Sequence, residues 1–223
     1  MNTKEIISSI ALIVREKFEK ESSGHDWWHI YRVWQLSKLI AEQEQADVFI
    51  VEIASLLHDI ADWKFNNGDE KAGGKAACEL LSQFNLPLET TDLIVEIIDN
   101  VSFKGAEIET KMKSIEGEIV QDADRLDAIG AIGIARTFAY GGHKGRSIYD
   151  PAIEPVLHKS FEEYKKSDSP TINHFYEKLL LLKDRMNTQT GLKIAEERHL
   201  FMENFLAEFY REWNLTYTFV PEK

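Results

Sequence analysis

Two histidines and two aspartates have the types and surroundings of ligands for a catalytic metal ion. His58 and Asp59 are adjacent at the end of an apolar helical pattern, His29 precedes them, and Asp124 follows in a third segment. Imidazole nitrogens and carboxylate oxygens together suit first-row divalent ions, and the absence of cysteine ligands argues against a closed structural zinc site. Octahedral coordination would leave two positions for water and substrate. The pattern therefore predicts a hydrolytic site, since such an ion activates water and offsets charge on a phosphoryl group.

The segment 48–60 explains why a cation is expected at this place. It is apolar nearly all round until it reaches His58 and Asp59, and a helix of that kind is buried on most sides. A histidine and an aspartate at the end of a buried helix need compensation, because unpaired buried charge is costly. A divalent cation supplies it.

Neighbouring side chains compete for the ligand positions. Asp122 and Asp127 are alternatives to Asp124, and His25 is an alternative to His29. Asp127 follows Asp124 by one helical turn, where it would contact either a metal ligand or the substrate.

The elements that must hold these side chains are helices. Apolar residues recur at helical spacing, and no alternating stretch of strand length interrupts them, so we predict an all-α fold. No Pro-, Gly- or Ser-rich linker divides the chain, so we predict one domain over 1–223, with a core at about 20–140 and a C-terminal helical extension at 152–211. The predicted helices are 3–20, 28–43, 48–60, 69–83, 89–100, 117–139, 152–165, 171–186 and 190–211. Residues 102–115 and 140–151 are predicted loops, of a length that is often functional.

The composition excludes several classes of partner. The formal net charge is −12, with 26 Lys and Arg against 38 Asp and Glu, and no basic block offers the surface that a long nucleic acid needs. No apolar run approaches the ~18 residues of a membrane span, so no membrane partner is expected. Cys78 is the single cysteine, which is typical of a reducing, cytoplasmic setting. The amphipathic segments 171–186 and 190–211 would either cover the fold or form a homodimer.

The sequence around the four residues resembles a known family. It is similar to the H…HD…D signature of the HD-domain metal-dependent phosphohydrolase superfamily, over roughly residues 25–130. The flanking sequence and the C-terminal tail extend the resemblance to stand-alone bacterial HD hydrolases over nearly the whole chain. The signature motifs are His29-x-x-Arg32-Val33, His58-Asp59 and Ala123-Asp124-x-Leu126.

This resemblance implies an HD-domain helical bundle with additional C-terminal helices. Its ligands for one divalent ion (Mn, Ni, Co, Fe, Zn or Mg) would be His29, His58, Asp59 and Asp124. Some family members hold two or three metals with extra histidines on the helix after the HD motif, but residues 94–102 contain no histidine, which favours one ion.

The resemblance also implies an activity. Members of the stand-alone bacterial group have been assigned nucleotide pyrophosphohydrolase activity, so the expected reaction converts a nucleoside triphosphate to its monophosphate and pyrophosphate by attack of metal-bound water. The alternatives are a nucleoside monophosphate phosphatase, an alarmone hydrolase, or a non-catalytic metal-dependent nucleotide-binding regulatory module.

Candidates for the chemistry beside the metal lie close to the signature residues. Asp62 is three positions beyond the HD pair, where it would orient or deprotonate the attacking water, or else pair with Lys64 or Arg32. Lys64 and Asp26 are the other predicted catalytic residues, and Asp26 would either accept a hydrogen bond from an imidazole or cap the following helix. Phosphoryl transfer also needs polar groups that position the phosphate chain. The predicted substrate contacts are Lys104, Arg125, Asp127, Lys144 and Arg146.

Aromatic side chains are frequent near the predicted cleft. They would either stack on a nucleobase or fill the core, and aromatic residues at helical spacing usually fill the core. The residues concerned are Trp27, Trp28, Trp34, Trp63 and Phe103.

Overall fold

The computed structural model describes residues 1–19, 26–61, 71–102, 110–157 and 169–217. Over these residues the chain forms α-helices and two 3-10 turns, without a strand, which confirms the predicted all-α class. The helices are α1 (Thr3–Phe18), α2 (Trp27–Glu44), α3 (Val48–Leu57), α4 (Ala72–Leu81), α5 (Leu88–Asn100), α6 (Ile115–Asp127), α7 (Gly130–His143), α8 (Asn173–Glu177) and α9 (Gln189–Trp213). The 3-10 turns are Leu179–Leu181 and Lys183–Arg185.

Helices α2, α3 and α6 pack against one another and form the centre of the core. α3 is buried from Val51 to Leu57, as its apolar sequence predicts. α2 and α6 each bury an apolar stripe among these neighbours, and the stripes consist of Ile30, Val33, Ile40, Ile119, Val120 and Leu126. The predicted ligands are carried by α2, by α6 and by the residues directly after α3, so the packing of the core also brings the ligands together.

Capping side chains set where the three central helices begin. The Asp26 carboxylate accepts a hydrogen bond from the backbone N–H of His29 (2.8 Å) at the start of α2. Asp47 and Ser114 cap α3 and α6 in the same way. Such a cap stabilises a helix by about 1 kcal/mol and favours the residue at which the helix begins.

The single helix predicted over 117–139 is two helices in the structure. α6 ends at Asp127 and α7 begins at Gly130, whose φ of +73° lies in the left-handed region that side chains other than glycine rarely adopt. A Cβ at Gly130 would lie 2.9 Å from the Arg198 side chain, so the turn also depends on the close approach of α9. The prediction was wrong because the apolar periodicity continues across this turn.

The C-terminal part also differs from the prediction. Residues 152–157 are not helical, contrary to the helix predicted from 152, and 158–168 lie outside the described residues. The 171–186 segment contains α8 and the two 3-10 turns in place of one helix, and α7 extends into the predicted loop 140–151. Side chains of the following segment bind the backbone of 152–157: Asn173 donates to the carbonyl of Ile153 (2.9 Å) and Glu177 accepts from the N–H of Val156 (3.3 Å). These bonds satisfy backbone groups that a helix would otherwise pair.

Helix α9 joins the C-terminal part to the helices of the core. It packs against α6 and α7, and the Asp122 carboxylate on α6 accepts hydrogen bonds from the backbone N–H groups of Asn187 (2.9 Å) and Thr188 (2.8 Å), just before α9. Buried side chains from α1 to α9 belong to one hydrophobic cluster. None of the helices described is long and apolar enough to cross a membrane.

Candidate metal centre

The four predicted ligands converge where α2, α6 and the end of α3 meet. His29 Nε2 lies 3.2 Å from His58 Nε2, 3.3 Å from Asp59 Oδ2 and 3.5 Å from Asp124 Oδ1. His58 Nε2 lies 3.4 Å from Asp59 Oδ2 and 3.9 Å from Asp124 Oδ1. The two histidines and Asp59 form the tightest group, with their ligand atoms all within 4.8 Å of one another, and Asp124 joins them from α6.

These distances fit a single ion. Donor atoms that each lie about 2.1 Å from one ion are about 3.0 Å apart at adjacent positions of an octahedron and about 4.2 Å apart at opposite positions. The five separations given above, from 3.2 to 3.9 Å, fall between these limits. The donor set of two nitrogens and two oxygens suits a divalent first-row metal.

Hydrogen bonds on the outer side of each imidazole determine which nitrogen carries the proton. His58 Nδ1 lies 2.7 Å from the carbonyl oxygen of Ser55, and a carbonyl only accepts, so Nδ1–H is the donor. His29 Nδ1 lies 2.7 Å from Asp127 Oδ2, where the carboxylate accepts in the same way. In the neutral tautomers, both Nε2 lone pairs therefore point at the same space as the Asp59 and Asp124 carboxylates. That arrangement of acceptors suits a cation at its centre.

The electrostatics of His58 reflect this concentration of acceptors. Burial lowers the pKa of His58, but the charges of Asp59 and Asp124 and the hydrogen bond to Ser55 outweigh it and raise the pKa to about 9. Without a metal, a proton on the imidazole is thus the available positive charge. A metal ion and this proton compete for the same lone pair.

Asp127 orients His29 from behind the cluster. Its carboxylate is buried and accepts hydrogen bonds from His29 Nδ1 and from Arg32 Nε (2.7 Å) and Arg136 (2.7 Å). Burial raises the pKa of Asp127, but the hydrogen bonds from His29 and Arg32 and the charge of Arg136 hold it well below its usual range. Of the two roles that the sequence left open for Asp127, contact with a metal ligand is the one seen in the structure.

The cluster is open to solvent on its carboxylate side. Both histidine side chains are 1% exposed, whereas the side chains of Asp59 and Asp124 are 14% and 29% exposed. Substrate and water would therefore approach past Asp124, and the imidazoles form the inner wall.

The remaining alternatives for ligands and for Asp26 are decided by packing. Asp122 binds Asn187 and Thr188 and does not face the cluster. Asp26 accepts the backbone N–H of His29, so it acts as the cap of α2, and the imidazole N–H goes to Asp127. The catalytic role predicted for Asp26 stays a prediction.

Several predicted residues lie outside the described part of the chain or away from the cluster. Asp62, Lys64, Lys104 and the alternative ligand His25 fall among residues that the structure does not describe. The Arg125 guanidinium donates to the carbonyl of Arg185 and to Thr110 Oγ1 (3.1 Å), so it is directed to protein groups. Lys144 and Arg146 follow the end of α7, and Lys144 lies about 12 Å along the helix axis beyond Arg136, with its ammonium 5.6 Å from the centre of the Tyr140 ring. Substrate contacts at Arg125, Lys144 and Arg146 stay predictions.

Arg136 is the contact that sequence reasoning did not assign. It follows Asp127 by nine residues across the turn at Gly130, a separation with no helical meaning. The Arg136 guanidinium reaches Asp127 only because α7 folds back onto the end of α6.

An HD domain is the class of protein that this fold and this cluster define, and the chain belongs to the HD-domain family. The model of the HD domain matches residues 27–129, the stretch that contains all four predicted ligands. An HD-superfamily hydrolase from Bacillus thuringiensis is 46% identical, with a TM-score of 0.75 over 96% of this chain and 99% of that one. Family membership supports assignment as a hydrolase and the presence of a divalent metal.

Among individual proteins, the chain is similar to YpgQ of Bacillus subtilis (strain 168), with 41% identity over 193 residues and 86% of each chain covered. The crystal structure of YpgQ in complex with ADP has a TM-score of 0.73 and 39% identity, over 92% of this chain and 97% of that one. A structure from Lactobacillus plantarum has a TM-score of 0.81 and 38% identity, over 96% of this chain and 100% of that one. The predicted resemblance to stand-alone bacterial HD proteins is confirmed.

Proposed function

We propose that this protein is a metal-dependent nucleotide phosphohydrolase that converts nucleoside triphosphates to monophosphates and pyrophosphate. The observation that carries the proposal is the grouping of His29, His58 and Asp59, with Asp124 beside both histidines and both imidazole tautomers set by outer partners. Such an open site, with ligands from the protein on one side and solvent on the other, is typical of catalytic rather than structural metal centres.

The nucleotide part of the proposal is supported by a relative. YpgQ was crystallised with ADP, and 39% identity over nearly the full length makes a shared ligand class the simplest expectation. The acidic net charge of −12 agrees with a small substrate whose phosphates are neutralised locally.

Each residue has a defined task in this proposal. The two histidines and two aspartates hold the ion, which when bound lowers the pKa of water and offsets charge on phosphoryl oxygens. Asp127 keeps Nε2 of His29 aimed at the ion. Asp62 accepts or delivers the proton in the hydrolytic step. Lys64 balances the charge of the phosphate chain, together with the predicted cationic contacts Lys104, Lys144 and Arg146.

The test is product analysis with defined metals. Dialysed protein is reloaded with Mn, Mg, Co, Ni, Fe or Zn and incubated with nucleoside triphosphates, monophosphates and an alarmone, and phosphate and pyrophosphate are quantified separately. The expected result is pyrophosphate and monophosphate in equal amounts from triphosphates, and no turnover by His58→Ala. Phosphate from monophosphates would identify a phosphatase instead, and pyrophosphate from the alarmone would identify an alarmone hydrolase. Tight nucleotide binding without turnover under any metal would identify a regulatory module.

A further inference from the structure

We propose that Trp28 is the residue on which the nucleobase of the substrate stacks. The inference rests on the proposed function only in that the ligand of the metal centre is a nucleotide. The observation behind it is an exposed indole on the residue next to the metal ligand His29.

The first turn of α2 points three successive side chains in three directions. Trp27 is 8% exposed and His29 is 1% exposed, whereas Trp28 is 60% exposed. Successive residues of a helix diverge by about 100°, so burying Trp27 and His29 leaves Trp28 facing solvent. The Asp26 cap on the N–H of His29 keeps this turn in place.

Trp28 is held in its orientation by Tyr31, one turn further along the helix. The two rings meet edge to face, with their centres 5.9 Å apart and their planes at 80°. Tyr31 in turn contacts Trp34 edge to face at 6.1 Å. A braced indole loses little side-chain freedom when a planar ligand covers it, so the entropic cost of stacking is small.

The position of Trp28 also suits a ligand whose phosphates are at the metal. Consecutive Cα atoms are about 3.8 Å apart, so the indole of Trp28 and the imidazole of His29 project in different directions from neighbouring positions on the helix. A nucleotide likewise separates a charged phosphate end from a flat base. Stacking is tolerant of base identity, because every base has a π-face, so Trp28 would bind nucleotides as a class and discriminate weakly among bases.

The experiment compares two ligands with the same diphosphate, one of which lacks a base. Dissociation constants of ADP and inorganic pyrophosphate are measured by calorimetry on metal-loaded wild-type, Trp28→Ala and Trp28→Phe protein, with metal content checked in each. The control is Trp213→Ala, which removes another exposed indole (48%), packed against Tyr149. It lies about 22 Å along α9 from Arg198, which contacts the carbonyl of Leu126 on α6.

The expected result is that Trp28→Ala weakens ADP binding by about 5- to 30-fold, the lower part of the range for base stacking because the indole stays partly solvated. Trp28→Phe keeps most of the affinity, pyrophosphate binding is unchanged in all variants, and Trp213→Ala behaves as wild type. Loss of pyrophosphate affinity in parallel with ADP affinity would overturn the proposal, since it would show damage to His29. Unchanged ADP binding, or a change of oligomeric state in Trp28→Ala, would overturn it as well.

The two experiments together distinguish failure of the stacking role from failure of the proposed function. Nucleotide hydrolysis by a Trp28→Ala protein with wild-type ADP affinity would refute the stacking role and leave the enzyme assignment intact. Base-dependent binding through Trp28 without turnover would leave stacking intact and refute the enzyme. Failure of wild-type protein to bind ADP would refute the stacking role, whereas the enzyme assignment is decided by the product analysis with triphosphates.

Discussion

Asp127→Asn tests whether the carboxylate behind His29 determines the metal affinity of the centre. The wild-type carboxylate accepts hydrogen bonds from His29 Nδ1, Arg32 and Arg136. Asparagine has nearly the same shape, but it carries no charge and its amide nitrogen cannot accept a hydrogen bond. At least one of the three donors then loses its acceptor, and the His29 tautomer with a free Nε2 lone pair is no longer enforced.

The magnitude follows from this geometry. Loss of a partner that orients a metal-binding histidine typically costs about 10- to 100-fold in metal affinity, which corresponds to about 1.4–2.7 kcal/mol. The free energy of unfolding should fall by about 1–3 kcal/mol. This is less than for a fully buried ion pair, because the side chains of Arg32 and Arg136 are 33% and 26% exposed and water can replace part of the contact.

The assay is competition with a chelator for Mn, Ni or Zn, together with urea unfolding of the metal-free proteins. Asp122→Asn is the matched control, since it makes the same change to another buried carboxylate of α6, one that binds Asn187 and Thr188. It should lower stability by a similar amount and change metal affinity by less than about 3-fold, below the effect of a lost ligand partner. Wild-type metal affinity in Asp127→Asn, or an equal loss in Asp122→Asn, would refute the role of Asp127.

Two further predictions concern pH and the turn after α6. The pKa of His58 is raised from 6.5 to about 9 in the metal-free fold, so its protonated form contributes stability that is fully present below pH 6.5 and is lost as the pH rises through 9. The melting temperature of metal-free protein should therefore fall over this range more steeply than that of metal-free His58→Ala. Metal binding at pH 7.5 should release a proton, which calorimetry in buffers of different ionisation enthalpy detects. Equal slopes and no proton release would contradict the raised pKa of His58. Gly130→Ala should lower the free energy of unfolding by about 1–3 kcal/mol, because φ is +73° and the new Cβ meets Arg198. Gly142→Ala on the same helix has nothing within 4 Å of its Cβ and should be neutral or stabilising by up to about 1 kcal/mol. Denaturant unfolding measures the free energy of unfolding of both variants, and an equal change in the two would show that the turn does not need glycine.

Much of the fold was predictable because its signals are local. Apolar spacing of 3.6 residues and capping side chains such as Asp26 and Asp47 depend on neighbours within one or two turns, and α1 to α5 begin and end within a few residues of the predicted bounds. The errors occur where distant contacts override periodicity. The turn at Gly130 lies close against Arg198 of α9, and the non-helical segment 152–157 is bound by side chains from the helix that follows it.

The same division applies to the metal centre. Sequence by itself determined the types of the ligands, since an apolar helix ending in His58 and Asp59 has to compensate two polar groups. Among the three aspartates of α6, the family signature favoured Asp124, but the residue types alone left Asp122 and Asp127 open as alternatives. At about 100° per residue, Asp122 and Asp124 point about 200° apart, so each faces a different neighbour, and only the positions of those neighbours assign the roles. Tertiary packing placed α9 against Asp122, the two histidines beside Asp124, and His29 with two arginines around Asp127. Three carboxylates of one helix thereby became a helix anchor, a predicted metal ligand and the partner that orients the predicted ligand His29.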